Sequence, residues 1–216
     1  MLTPAALLDL LTGAGTTVSV CVIAIAAGMP LGLVIAAGRT RRNGVLRFLC
    51  GVYASFVRAV PLVTFVMLIY FGLPALGVAF DPLPASILAL SLNTAAFNSE
   101  IWRASIVDFP HGQIEAARAF GMTRRTAFWR IMFPQIWRRS LPPLVSEMTL
   151  LIKASPAIAV IGVVDLTRKA RQIAESTYEP LPAFFAAVLI YGAVLIALVT
   201  AARLLERRLG AATRTA

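Results

Sequence analysis

The chain has 216 residues, of which 59% are hydrophobic and only 14% are charged, and its mean hydropathy is +0.81. Soluble domains of this size usually carry about a quarter charged residues. The composition excludes an ordinary soluble domain and predicts an all-α, polytopic membrane protein, with a single transmembrane domain over residues 1–216.

The net charge of +10 and the isoelectric point near 11.0 are also typical of nucleic-acid-binding domains. Here, however, the arginines lie between apolar stretches, where an excess of basic residues on the cytoplasmic side of a membrane explains them. No polar region is long enough to fold alone as a nucleic-acid-binding domain. We therefore expect membrane lipid, and no nucleic acid, around this chain.

Few residues suit catalysis. His111 is the only histidine, and neither a G-x-x-x-x-G-K-[ST] phosphate loop nor a G-x-S-x-G nucleophile motif occurs. We expect no catalytic residues, no metal site and no cofactor in this chain. Energy for any work would come from a partner or from an ion gradient.

Apolar stretches of about 20 residues predict transmembrane helices. Five such spans are expected, at about residues 16–37, 60–76, 84–102, 141–164 and 181–202. Phe48 to Val57 is mostly apolar, and Arg58 and Pro61 then interrupt the pattern. This predicts a helix at the cytoplasmic membrane interface before the second span. The mixed-charge stretch 165–179 is expected to be an outside loop.

Arginine clusters follow the first, third and fifth spans, so these sites are predicted to be cytoplasmic, with the N-terminus outside and the C-terminus inside. The clusters are Arg39 to Arg47, Arg118 to Arg139 and Arg203 to Arg214. The second cluster occupies a cytoplasmic loop over about residues 104–140, which is longer than a simple connection needs.

Polar groups inside spans are candidates for function because burying them in lipid is costly. Glu147 and Lys153 lie in the fourth span, about 240° apart around a helix, so they do not pair on one face. Glu147 therefore faces a solute pathway and meets a cationic group of the solute, or pairs with another helix, or precedes a span that starts later than residue 141. Glu100 is expected to pair with Arg103 one turn away, and Asn93 extends the same polar face.

The loop sequence E-A-A-R-A-F-G-M-T-R-R-T-A-F-W-R-I-M-F-P-Q, residues 115–135, predicts two short helices broken at Gly121. Gly121 can adopt the left-handed conformation that ends a helix, and Thr123 can cap the next one. Pro134 is expected to stop or kink that second helix. The small side chains on the first helix leave a flat face for close contact with another surface.

This loop resembles the cytoplasmic EAA loop of bacterial ABC-importer permeases. The resemblance rests on the spacing of the motif, in which Phe133 stands where leucine is usual. The matching residues are Glu115, Ala116, Ala117, Gly121, Ile131 and Pro134.

Further segments resemble the polar amino-acid (histidine/glutamine-type) branch of that family, over about residues 16–208. They are Arg58 to Val63, Tyr70 to Pro74, Ala95 to Arg103 and Pro110 to Glu115. The run 170–174 and residues 177–180 are more similar to permeases for basic amino acids or opines. The sequence departs from the family pattern at Ser146 and at Lys153–Ala157, next to the expected pathway.

The resemblance implies the type I importer permease fold and an inner-membrane subunit that imports polar, including basic, amino acids or related small solutes. It implies a second permease subunit, identical or paralogous, and two cytoplasmic ATPases that bind ATP and contact the EAA helix. It also implies an external solute-binding protein. The expected pathway residues are Asn93, Glu100, Glu147 and Lys153.

One alternative is a stand-alone secondary transporter or channel with Glu100 and Glu147 as an ion relay. The sequence does not identify the solute, and it does not distinguish a homodimer from a heterodimer.

Overall fold

The computed structural model describes residues 3–211, and all regular secondary structure in this range is helical. The long elements are α1 (Pro4–Thr40), α2 (Gly44–Ala59), α4 (Pro82–Val107), α7 (Phe133–Ala154) and α9 (Pro180–Ala211). The shorter α-helices are α3 (Leu62–Met67), α5 (His111–Ala119), α6 (Arg124–Ala127) and α8 (Leu166–Thr177). Arg214, part of the predicted basic tail, lies outside the described residues.

In the described chain, three continuous helical stretches are long and apolar enough to cross a bilayer: Pro4–Thr40, Arg124–Ile161 and Pro180–Ala201. A fourth candidate combines α2 with Leu62–Leu76, two segments bent by 114° relative to each other. α4 holds the predicted third span and is long enough, but it is less apolar because its buried face is rich in serine, threonine and asparagine. The count of five spans stays a prediction.

The break between α2 and α3 lies where the sequence predicted an interruption. Val60 is extended, and Pro61 precedes the first residue of α3. Proline disfavours a helical conformation at the residue before it, so α2 has to end here. α3 then continues through a π-helical turn, Leu68–Gly72, and a 3-10 turn, Leu73–Leu76.

Pro134 was expected to stop or kink its helix, and the stop does not occur. The predicted start of the fourth span near Leu141 lies inside a longer helical stretch and stays a prediction. One continuous helical stretch runs from Arg124 to Ile161. Its π-helical turn, Phe128–Met132, lets the N–H of Phe133 bond to the carbonyl of Phe128, and Pro134 then occupies the first turn of α7. Proline is tolerated there because its missing N–H has no partner to lose.

The stretch expected to be an irregular outside loop contains the helix α8. The Asp165 carboxylate accepts a hydrogen bond from the N–H of Arg168 at 2.8 Å and so caps this helix. Leu166, Ala170 and Ala174 form its buried face against α1 and α9. Burial raises the pKa of the Asp165 carboxyl.

The closest helix pair is α1 and α4, which touch through glycine. A Cβ added at Gly28 would lie 2.6 Å from the Cβ of Thr94 and 2.8 Å from the carbonyl oxygen of Ser91. A Cβ added at Gly32 would lie 2.9 Å from the Cβ of Asn98. Small residues permit this approach, which in lipid is stabilised mainly by van der Waals contact.

We expect Gly28→Ala to destabilise the protein by about 1–3 kcal/mol, because the added methyl group collides with the backbone and the branched side chain of α4. The midpoint of thermal denaturation in detergent measures the effect. Gly15→Ala, on the same helix with no atom within 4 Å of an added Cβ, is the matched control. It should leave the midpoint unchanged or raise it, since alanine favours helix over glycine. Equal effects of the two substitutions would contradict the close packing at Gly28.

Candidate functional site: coupling groove and polar cavity

The segment that resembles the EAA loop forms two helices separated by a tight turn, as the sequence predicted. α5 ends with a Schellman motif, in which Gly121 N–H bonds to the carbonyl of Arg118 and Met122 N–H to that of Ala117. Gly121 has φ of +74°, a conformation that glycine adopts without strain. The Thr123 hydroxyl then caps α6 by accepting a bond from the N–H of Thr126 at 3.2 Å.

An open apolar groove of about 500 Å³ lies between α5 and the π-helical turn that follows α6. It brings together three of the motif residues, Ala116, Ala117 and Ile131. Its other lining residues are Gln113, Phe120 and Met122. We call this surface the coupling groove.

Phe120 is 87% exposed beside the flat alanine face. Together with the apolar lining of the groove, this side chain forms an exposed apolar surface of a kind suited to contact with another protein. Phe120 and Met122 were not predicted to line a site. Both flank Gly121, the turn predicted between the two helices, and that position could have identified them. Glu115 is exposed on α5, and Pro134 lies outside the groove in the first turn of α7.

The coupling groove is fastened to the helix that continues into the apolar region. The Gln135 side-chain amide donates to the Gln113 side chain at 2.8 Å, which joins the start of α5 to α7. Arg139 donates to the backbone carbonyl of Asp108 at 3.3 Å, which joins α7 to the end of α4.

A second site is a mostly apolar cavity of about 280 Å³, with two polar side chains, between the end of α2, α3, α4 and α7. It brings together Asn93 of α4 and Glu147 of α7, two of the residues predicted to face a pathway. Apolar side chains form the rest of the wall, among them Phe97 and Leu150. Glu147 is half-buried, and Lys153 is exposed elsewhere on α7 and does not line this cavity.

Glu100 does not line the cavity either, because its carboxylate is bound by three arginines. Oε1 accepts from Arg103, at 2.9 Å from Nε and also from Nη2, as the sequence predicted. Oε2 accepts from Arg39 of α1 at 2.6 Å and from Arg58 of α2 at 3.3 Å. We call this group the arginine cluster.

The arginine cluster joins α1, α2 and α4 at one end of the molecule. Arg39 and Arg58 were missed because they lie 61 and 42 residues from Glu100 in sequence. Arg58 also lies over the ring of Phe97, at 5.7 Å from the ring centre. Since Phe97 lines the cavity, Arg58 connects the arginine cluster to the cavity wall.

Comparison with known proteins agrees with the family resemblance of the loop 115–135. Residues 28–211 match the family model described as the binding-protein-dependent transport system inner membrane component. The chain belongs to this family. It is therefore a permease subunit, part of a transport complex, and the alternative of a stand-alone transporter or channel is set aside.

Relatives and solved structures agree with this membership. The chain is 36% identical over 194 residues to the L-cystine transport system permease TcyB of Bacillus subtilis (strain 168), covering 89% of this chain and 83% of that protein. It is 37% identical over 192 residues to the nopaline transport system permease NocM of Agrobacterium fabrum (strain C58 / ATCC 33970), covering 84% and 80%.

Among solved structures, this permease resembles a crystal structure of an amino acid ABC transporter with histidines, with a TM-score of 0.85 and 32% identity over 93% of this chain and 94% of that one. An inward-facing structure of the MetNI methionine ABC transporter has a TM-score of 0.78 at 16% identity, over 96% of this chain and 99% of that one, and shows the shared fold.

In this permease, Glu100→Gln should lower stability by about 1.5–3 kcal/mol, since it removes a partly buried carboxylate that accepts charge-assisted hydrogen bonds from three arginines. Thermal denaturation of the purified chain in detergent measures this. Glu175→Gln removes an exposed ion pair with Arg171 and should cost at most about 1 kcal/mol. If Glu100→Gln were as mild as Glu175→Gln, the arginine cluster would not hold the three helices.

Proposed function

We propose that this permease is the membrane subunit of an ATP-driven importer whose solute is a polar amino acid, including basic ones, or a related small solute. The observation that carries the proposal is the cavity that places the Glu147 carboxylate and the Asn93 amide among apolar side chains. The names of the relatives, which include an arginine and a glutamine transport system permease, support the same solute class.

The chemistry of the cavity suits a small solute with a positive charge. The half-buried Glu147 carboxylate can accept hydrogen bonds from an ammonium or guanidinium group. The Asn93 amide can donate to a carboxylate and accept from an ammonium group. Lys153, exposed on α7, is proposed to face the pathway where a second permease subunit adjoins it, and Glu100 to hold the helices around the pathway.

The proposed complex contains a second permease subunit, identical or paralogous, two cytoplasmic ATPases and an extracytoplasmic solute-binding protein. The ATPases bind and hydrolyse ATP, so this chain contributes neither catalytic residues nor a cofactor. Each coupling groove would receive an apolar side chain of an ATPase beside Ala116, Ala117 and Ile131. We place the complex in the bacterial inner membrane, with the N-terminus outside and the C-terminus inside.

Docking is tested by a substitution that changes the angle between α5 and α6. Gly121→Val should reduce ATP-dependent uptake by at least about tenfold, because a β-branched residue is strongly disfavoured at φ of +74° and the turn would rearrange. Uptake and ATP hydrolysis are measured on the complex reconstituted in vesicles.

Gly112→Val is the matched control for that substitution. It lies in the first turn of α5 with no atom within 4 Å of an added Cβ, so uptake should persist. Normal uptake by the Gly121→Val complex would contradict the assignment of the coupling groove.

The solute site is tested separately. Glu147→Gln should weaken uptake of cationic amino acids by about 10-fold or more relative to neutral ones, since loss of a buried charge-assisted bond costs about 1.5–3 kcal/mol. Competition between radiolabelled arginine and glutamine measures the ratio. Asp108→Asn neutralises an exposed carboxylate away from the cavity and should leave the ratio unchanged. An equal loss for both solutes in Glu147→Gln would argue against contact with the solute.

A further inference from the structure

The surface of α2 carries an apolar stripe that no other part of the described chain covers. Val45, Phe48, Leu49, Val52 and Phe56 are each at least 50% exposed. Their spacing places them on one side of the helix, within about 100° of its circumference. The opposite side is packed, since Ala54 and Val57 are buried there.

Unpaired positive charge lies at the start of this stripe. Arg41 and Arg42 precede α2, Arg47 lies at the end of its first turn on the side away from the stripe, and all three are exposed without an ion pair among the described residues. The nearby arginine cluster adds three more guanidinium groups and only one carboxylate, Glu100. The region around the C-terminal ends of α1, α2 and α4 therefore has an excess of positive charge, which favours the binding of anions.

The orientation of α2 relative to the next helix indicates that lipid headgroups supply those anions. The helix is bent by 114° from Leu62–Leu76, so the two segments do not form one straight span. If Leu62–Leu76 crosses, α2 lies close to the membrane plane. A helix in that position buries its apolar side among acyl chains and presents its basic residues to headgroups.

We propose that α2 and the preceding Arg41–Arg42 pair form a binding surface for anionic phospholipid headgroups of the cytoplasmic leaflet. The inference rests on the membrane side assigned under Proposed function. Arginine binds phosphate oxygens through two parallel hydrogen bonds, and each basic residue at an anionic surface strengthens binding about fivefold.

The position of α2 gives this surface access to the transport site. Arg58 at the end of α2 contacts Glu100 and lies over Phe97. Val60 and Pro61, two and three positions further along the chain, line the cavity that contains Glu147. Lipid bound along α2 thus holds one wall of that cavity in place.

The first experiment measures lipid binding directly. The complex is purified from membranes, and bound phosphatidylglycerol is counted by native mass spectrometry with increasing added lipid. The combined variant Arg41→Gln, Arg42→Gln, Arg47→Gln should need at least about tenfold more phosphatidylglycerol for equal occupancy. The charge-preserving variant with lysine at all three positions should bind phosphatidylglycerol nearly as well as the unmodified complex. Arg171→Gln, on α8, should bind it as well as the unmodified complex does.

The second experiment measures the depth of α2. A fluorescent label at Phe48→Cys, in a Cys50→Ser background, should be quenched by lipids brominated on the acyl chain and protected from aqueous iodide. Cross-linking through Phe48→Cys between two permease subunits would show that a second copy covers the stripe, and would overturn the proposal. So would equal phosphatidylglycerol binding by the glutamine and lysine variants. Neither readout depends on ATP turnover, so a complex that imports solute but fails both tests contradicts only this inference.

Discussion

The contact between α1 and α4 is the constraint on which the other sites depend. In lipid there is little hydrophobic gain from joining two apolar helices, so association needs close van der Waals contact. Gly28 and Gly32 provide it, because a Cβ there would lie within 3.0 Å of the side chain of Thr94 or Asn98 and of the carbonyl oxygen of Ser91 or Ala95. The polar face of α4 is hidden by this contact, which explains how a helix with so many hydroxyl and amide groups can lie within a membrane protein.

Because α4 is held against α1, its remaining side chains have defined positions. Glu100 lies where the ends of α1 and α2 can both reach it, and its carboxylate binds Arg39 and Arg58 as well as Arg103. Removing such a carboxylate would leave partly buried positive charge without compensation. Pro61 ends α2, and the arginine cluster fixes the position of that helix end against α1 and α4, where the chain turns into α3. That turn supplies part of the wall of the cavity opposite Glu147.

Local sequence signals predicted the local features of the coupling segment. The turn at Gly121, the cap at Thr123 and the Glu100–Arg103 pair each depend on residues within one or two helical turns. Contacts that join distant parts of the chain were not predictable in this way. Arg39 and Arg58 reach Glu100 only after three helices have packed, and α8 depends on burying Leu166 and Ala170 against α1 and α9.

Pro134 shows how a correct local rule can give a wrong boundary. Proline breaks a helix when its missing N–H and its ring disturb an established turn. Here the preceding π-helical turn ends at Met132, so the proline falls in the first turn of α7 and the helical stretch continues. The boundary matters because the predicted stop would have separated the segment 115–135 from the predicted fourth span.

The continuous stretch Arg124–Ile161 contains both Ile131 of the coupling groove and Glu147 of the cavity. Sixteen residues separate them, about 24 Å along a helix axis. A displacement at the groove therefore reaches the cavity wall along one helical stretch, without a loop in between. Two features interrupt the regular hydrogen bonding of this connection: the π-helical turn, Phe128–Met132, and the pair Pro142 and Pro143 inside α7. The π-helical turn lies at the edge of the groove, whereas the two prolines lie one to two turns before Glu147, so any bending of the stretch between the two sites is expected at these positions.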